Sequence, residues 1–149
     1  MAEFAALLEI IIFVELGEPE GEEWIDIGES YLKIIWEPTN WMDAEEICRQ
    51  MESRLAIMDQ DIVFEAVGSM NDRFIQTTDP CLWLGATRVE GTTGVYVWSN
   101  GKVVTKFWYP DEPNNLSSLQ SCVGIRPSFR GLIDMNCAYI GLPLCQYTK

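Results

Sequence analysis

The sequence contains no histidine. Histidine is the commonest general base and a frequent ligand of transition metals, and it activates the serine or cysteine of many nucleophilic enzymes. Catalytic and metal sites that depend on histidine are therefore excluded from the 149-residue chain, and no other catalytic apparatus is evident in its sequence. We accordingly predict a binding protein and not an enzyme.

Basic residues are scarce as well, because 10 Lys and Arg stand against 23 Asp and Glu, for a net charge of −13. Nucleic acids and anionic membrane surfaces are bound by clusters of basic side chains, so we expect neither as a partner. An acidic surface is compatible with cation binding, although such a surface commonly serves solubility alone.

The chain also lacks a long unbroken apolar run. Its first 16 residues are mostly apolar, but Glu3, Glu9 and Glu15 interrupt them, which makes membrane insertion unexpected. The basic start of a signal peptide is absent too, so a degenerate signal, an extra strand and a partner-binding segment remain alternatives. We divide the chain into residues 1–22, an apolar segment with an acidic linker, and residues 23–149, one folded domain.

Cysteines are present but widely spaced, at positions Cys48, Cys81, Cys122, Cys137 and Cys145. None forms a C-x-x-C pair, so a zinc site is not expected. The spacing suits disulfides in an oxidising compartment, whereas reduced cysteines buried in a cytosolic protein are the alternative. Two disulfides would leave one cysteine over.

The periodicity of apolar residues predicts two helices followed by short strands. The first helix is capped by Thr39 or Asn40, and its apolar residues recur every three or four positions. The second follows residues 59–61, with buried positions at Ile62, Phe64, Ala66, Val67 and Met70. After Pro80, strand-like segments alternate with Gly, Asn and Pro loops, and a long irregular region covers residues 98–122. This order indicates an α+β domain with an antiparallel sheet.

The segment from Trp108 to Asn115 offers candidate ligands for a cation. Glu112 and Asn114 flank Pro113, which places two oxygen-bearing side chains on a short, rigid loop. Calcium prefers such oxygen ligands. A simple Pro/Asn-rich surface turn is the alternative interpretation of the same residues.

An ordered series of motifs from Trp24 to Cys145 resembles the C-type lectin-like domain family. The motifs are Asn40-Trp41-x-x-Ala44-x-x-x-Cys48, Trp83-Leu84-Gly85-Ala86, Trp98-x-x-Gly101, Phe107-Trp108-x-x-x-Glu112-Pro113-Asn114-Asn115 and the last three cysteines. The resemblance implies the C-type lectin-like fold, with two helices, short antiparallel sheets and a long irregular loop region. It also places Trp83, Trp98 and Trp108 in the core.

The resemblance further implies two disulfides, Cys48–Cys145 and Cys122–Cys137, and an extracellular, secreted protein. Cys81 is then left over. It is a buried thiol, the link of a disulfide-bonded homodimer, or a group with another partner.

The same resemblance implies a calcium and sugar site. Glu112 and Asn114 would bind calcium and hydrogen-bond sugar hydroxyls, with the Glu112–Pro113 peptide in cis. Gln120 takes the place of a third acidic ligand, and Asp134 matches a fourth. Ile133 stands where the family has an asparagine and Leu132 where it has an aromatic residue, so we expect weak calcium binding. Nearby oxygen donors that could substitute are Asn115, Ser117, Ser118 and Asn136.

The resemblance therefore predicts a calcium-dependent lectin, and the order Glu-Pro-Asn matches the mannose-type motif of the family. The alternative is a degenerate C-type lectin-like domain that binds a protein partner without calcium. An exposed aromatic side chain beside Glu112 would favour sugar stacking.

Overall fold

The computed structural model describes residues 24–74, 80–114 and 121–149. Two helices lie in these ranges, α1 (Trp41–Gln50) and α2 (Asp61–Phe74). The strands are β1 (Ile25–Asp26), β2 (Ser30–Ile34), β3 (Arg54–Leu55), β4 (Leu82–Arg88), β5 (Tyr96–Trp98), β6 (Ser121–Arg126), β7 (Gly131–Asn136) and β8 (Leu142–Thr148). The predicted α+β plan, with helices preceding most of the strands, is confirmed.

The strands pair in the order β1-β2-β8-β4-β6-β7, with β3 added to β8 and β5 added to β4. Most pairs are antiparallel as expected, but β4 and β8 run parallel, with Leu82 beside Leu142. The sheet of the described residues is therefore mixed. Strand β8 lies between β2 and β4, so the last strand of the domain is held at the centre of the sheet.

Helix α1 is anchored at both ends. Asn40 is its N-cap, since its side-chain oxygen accepts a hydrogen bond of 2.9 Å from the Asp43 backbone N–H. Ala44 and Cys48 are fully buried. Cys48 forms the predicted disulfide with Cys145, which joins α1 to β8.

Helix α2 buries most of the predicted face, with Phe64 and Ala66 partly buried against the core. Val67 and Met70 are buried as expected, but the side chain of Ile62 is 50% exposed and Val63 is buried instead. Positions 63, 67 and 70 are spaced by four and three, which is the repeat of one helical face. The inclusion of Ile62 among the buried positions was wrong, because it lies one residue before the start of that face.

The core contains Trp83 and Trp98, both buried as predicted. Trp83 Nε1 donates a hydrogen bond of 3.0 Å to the Thr39 carbonyl, so its one polar atom is satisfied. Trp108 only packs against the core and stays half-buried.

Among the described ranges, no helix is long and apolar enough to cross a bilayer.

The irregular segment that leads to Glu112 is fastened to the start of β7. Leu132 N–H donates to the Phe107 carbonyl at 2.7 Å, and Tyr109 N–H donates to the Leu132 carbonyl at 2.9 Å. Gly131 makes this approach possible, because a Cβ atom there would lie 2.7 Å from the Tyr109 Cα. The loop backbone consequently rests directly on the strand.

Replacing Gly131 with alanine should therefore destabilise the domain by about 1–3 kcal/mol, the usual cost of overpacking. Urea unfolding measures this loss. Gly91→Ala is the comparison. It strains the backbone, because φ is 84° at that position, but the new Cβ meets no atom within 4 Å. Only Gly131→Ala should also weaken ligand binding at Glu112. A Gly131→Ala protein with wild-type stability would contradict the close contact.

Candidate functional site

The loop after Trp108 turns sharply before it presents Glu112. Glu112 N–H donates to the Tyr109 carbonyl at 2.9 Å, and Asp111 between them has a φ of 71°. Proline at the second turn position and a positive φ at the third are typical of a type II turn. The Glu112–Pro113 peptide that follows is cis, as the resemblance implied.

Three of the four predicted ligands meet beyond this turn. The Asn114 backbone N–H donates to Asp134 Oδ1 at 3.0 Å, and Asn114 Nδ2 donates to Glu112 Oε2 at 3.1 Å. Asp134 is supplied by β7 and is only 9% exposed. The structure thus brings together two residues of the loop and one that follows them by at least 20 positions.

Burial and the neighbouring Asp134 carboxyl both affect the ionisation of Glu112. Burial of the side chain and then the neighbouring Asp134 carboxyl raise the pKa of Glu112 to about 7. Glu112 Oε1 is buried and has no hydrogen-bond partner among the described residues. A cation placed there would satisfy this oxygen and neutralise the repulsion between the carboxylates.

Tyr96 holds Asp134 from the opposite side. Its hydroxyl donates a hydrogen bond of 2.6 Å to Asp134 Oδ2, and its ring meets the Trp108 ring edge-on with centroids 5.3 Å apart. Burial and this hydrogen bond raise the pKa of Tyr96 to about 12. The hydroxyl therefore stays protonated and fixes the orientation of Asp134.

Tyr96 was not among the site residues predicted from the sequence. One signal was available, because Tyr96 and Trp98 alternate on the same face of β5 and that face is buried. A buried phenol normally requires a hydrogen-bond partner. The sequence could therefore have indicated a polar partner, but it could not identify Asp134.

Tyr96→Phe should lower the affinity of the site for calcium and reduce stability by about 1–3 kcal/mol, since a charged acceptor loses its donor. Calorimetric titration with calcium and urea unfolding in chelator measure the two effects. Tyr139→Phe is the matched control, because Tyr139 is 61% exposed. Unchanged calcium affinity in Tyr96→Phe would show that Asp134 is positioned by other contacts.

Ile133 does not contribute to this cluster. Side chains alternate along a strand, and β7 pairs with β6 in regular register, so Ile133 lies on the face opposite Asp134. Leu132 is fully buried in the core. The Asn136 side-chain oxygen accepts a hydrogen bond of 2.8 Å from the Ala138 N–H and is thereby engaged in a local turn. Gln120, Asn115, Ser117 and Ser118 lie outside the described residues.

The oxygen donors of this cluster are of the kind that a hard cation prefers, but they are few. The cluster offers two carboxylates and the Asn114 amide oxygen, which are the ligand types that calcium prefers. No group of three or more acidic, histidine or cysteine side chains suited to a metal occurs in the described ranges. Additional ligands are therefore needed to complete the coordination of calcium.

The cysteines follow the predicted pairing. Cys122 and Cys137 are bonded, which fastens the first part of β6 to the residue that follows β7. Cys81 lies outside both bonds and is only 8% exposed. Its burial favours the interpretation as a buried thiol, and the homodimer through Cys81 stays a prediction.

Comparison with known proteins identifies the fold and the family. The sequence profile of the lectin C-type domain matches residues 37–147. The chain belongs to the C-type lectin family. The domain is accordingly a non-enzymatic binding domain, in agreement with the sequence prediction.

Individual C-type lectins show how far the similarity extends. The chain is 31% identical to C-type lectin 37Da of Drosophila melanogaster, over 67% of this chain and 53% of that protein. It is 28% identical to C-type lectin lectoxin-Lio3 of Erythrolamprus poecilogyrus, over 83% of this chain and 78% of that protein. The chain therefore spans only about half the length of the Drosophila relative.

Solved structures agree on the fold. The human scavenger receptor C-type lectin carbohydrate-recognition domain superposes with a TM-score of 0.74 at 17% identity, over 89% of this chain and 100% of that one. A calcium-independent type II antifreeze protein superposes with a TM-score of 0.69 at 19% identity, over 88% and 94%. C-type lectins bind carbohydrates or proteins, generally bind calcium, and are mostly extracellular or secreted.

Proposed function

We propose that this C-type lectin binds carbohydrate through calcium held by Glu112, Asn114 and Asp134, with Gln120 as a further ligand. The observation that carries the proposal is the buried Glu112 Oε1 without a partner among the described residues, beside a second carboxylate. Buried polar atoms are normally satisfied, so this oxygen indicates a ligand.

When bound, calcium would supply a Lewis-acidic centre whose remaining coordination positions accept sugar hydroxyl oxygens. The residues of the chain would orient the sugar around it. Glu112 accepts hydrogen bonds from hydroxyl groups, and Asn114 Nδ2, which already donates to Glu112 at 3.1 Å, can donate to them.

The order of acid and amide supports a mannose-type preference. With Glu112 before the proline and Asn114 after it, the acceptor and the donor have fixed positions. Exchanging acid and amide would reverse which sugar hydroxyl receives a hydrogen bond and which donates one. Equatorial 3- and 4-hydroxyl groups, as in mannose, fit the order found here.

Protein recognition without calcium is the second candidate function. Ile133 favours it, because its apolar side chain occupies the position of a family ligand and lies on the face opposite Asp134. In that case burial and the neighbouring Asp134 carboxyl would keep the pKa of Glu112 raised, with no cation to offset them.

Calorimetric titration with calcium, followed by methyl mannoside or methyl galactoside, tests the proposal. We expect a calcium dissociation constant of about 10⁻⁴–10⁻³ M, as for extracellular modules, and mannose binding only with calcium. Calcium at tenfold this constant stabilises the domain by about 1.4 kcal/mol, which raises the Tm by roughly 3–6 °C.

Two variants sharpen the titration. Glu112→Ala should abolish both responses, whereas Asp111→Asn, which removes the adjacent exposed carboxylate, should preserve them. A preference for galactose would refute the mannose-type assignment. The absence of any calcium response would refute the calcium site and leave the protein-binding function.

We also propose that the chain is secreted and that residues 23–149 form one folded unit after an N-terminal segment. Both disulfides support the oxidising compartment. Peptide mapping by mass spectrometry of protein from its native source should find both bonds. Four reduced thiols at these positions would contradict secretion.

A further inference from the structure

Two exposed aromatic rings lie side by side just outside the proposed calcium site. Tyr109 is 37% exposed and Phe129 is 44% exposed, with ring centroids 5.4 Å apart and planes tilted by 33°. Neither ring belongs to the hydrophobic core. The pair forms an apolar surface at the end of the β6–β7 hairpin, which we call the Tyr109–Phe129 platform.

The platform is adjacent to Glu112 and is held firmly. Tyr109 and Glu112 are the first and last residues of one hydrogen-bonded turn, so their Cα atoms lie within about 7 Å. The Tyr109 backbone is fastened to Leu132 and rests on Gly131. A ligand bound at Glu112 that extends by one unit towards the hairpin therefore meets these rings.

A guanidinium group completes the platform. The Arg126 Cζ lies 5.5 Å from the centre of the Phe129 ring, and Arg126 Nε is buried without an acceptor among the described residues. Arg126 makes no ion pair within those ranges, whereas Arg130 of the same hairpin contacts Glu65 at 3.2 Å. In a chain of net charge −13, a cation without a carboxylate partner indicates an anionic ligand.

We propose that Tyr109, Phe129 and Arg126 form a subsite for a second saccharide unit that carries a negative charge, as a carboxylate or a sulfate. The rings pack against the C–H face of that unit, and the guanidinium donates hydrogen bonds to its anionic oxygens. This inference rests on the proposed function, because the terminal unit is the one held at Glu112. The subsite would make the carbohydrate site at Glu112 selective for acidic glycans.

The experiment compares three disaccharides with the same terminal mannose and a second unit that is neutral, sulfated or a uronic acid. In calcium, the acidic ligands should bind roughly tenfold tighter than the neutral one, the effect of one charge-assisted hydrogen bond. Arg126→Gln should reduce their affinity to that of the neutral ligand without changing the affinity for calcium or methyl mannoside. Arg126→Lys should retain part of the preference, and Arg130→Gln, the matched control, all of it.

The outcomes separate the two proposals. Equal affinity for the three ligands, in protein that binds mannose with calcium, overturns the subsite and leaves the proposed function intact. A preference for the sulfated or the uronic acid ligand supports the subsite and identifies its anion. If mannose does not bind in calcium, the proposed function fails. Binding of the sulfated unit alone, lost in Arg126→Gln, would then still support the subsite, and no such binding would overturn it.

Discussion

Replacing Cys48 and Cys145 together with alanine should lower the free energy of unfolding by about 2–5 kcal/mol. The bond spans 97 residues and ties α1 to β8, so its loss releases nearly the whole domain in the unfolded state. Both cysteines are fully buried, and their truncation also leaves a cavity between helix and strand. Urea unfolding, with a thiol count to confirm the remaining bond, measures the loss.

The second disulfide provides the comparison. Cys122 and Cys137 are only 15 residues apart, for which loop-closure entropy gives about 3 kcal/mol against about 4.7 for roughly 100 residues. The Cys122→Ala/Cys137→Ala pair should therefore be the milder variant. If it were the more damaging one, local packing at the site would outweigh loop entropy.

In chelator, the stability of the wild-type domain should decrease as the pH rises from about 4.5 to about 7. The pKa of Glu112 is raised to about 7 in the folded protein by burial and by Asp134. An unfolded glutamate titrates near 4.3, so the unfolded chain loses its proton first, and rising pH favours unfolding. The stability that the Glu112 proton contributes is therefore fully present below the pKa of the unfolded chain. It is lost as the pH rises through the pKa of the folded protein.

Calcium should reverse this loss, because it binds the deprotonated carboxylate and takes the place of the proton. The stabilisation by calcium should consequently be larger at pH 8 than at pH 5. Thermal unfolding across this range, with and without calcium, measures both trends. Glu112→Gln should flatten the chelator profile and remove the calcium effect, whereas Asp111→Asn should change neither. A calcium effect independent of pH would place the ion elsewhere.

Much of the fold could be predicted because its signals are local. The cap of α1, predicted at Thr39 or Asn40, and the segments β4 to β8 follow from apolar spacing and turn residues. The face of α2 was misplaced at Ile62 because several apolar residues at its start fit more than one helical phase. The parallel contact of β4 with β8 was not predictable, since Leu82 and Leu142 are 60 positions apart and no local pattern encodes their direction.

The sequence by itself determined the chemistry available to this protein. It supplied no histidine, five cysteines with a family-like spacing, and the oxygen donors Glu112, Asn114 and Asp134. Such properties depend on residue type and short-range order. Together with the resemblance to a known family, they allowed a binding domain, its disulfides and its candidate ligands to be predicted from the sequence.

Only the tertiary structure decided how these groups act on one another. It placed the half-buried Glu112 carboxyl beside Asp134, the Tyr96 hydroxyl on the Asp134 carboxylate, and the Phe129 ring beside Tyr109. Each of these contacts joins residues 20 or more positions apart. The physical reason is that burial, hydrogen-bond pairing and repulsion between charges depend on distance in space, which distant segments acquire only when the sheet brings them together.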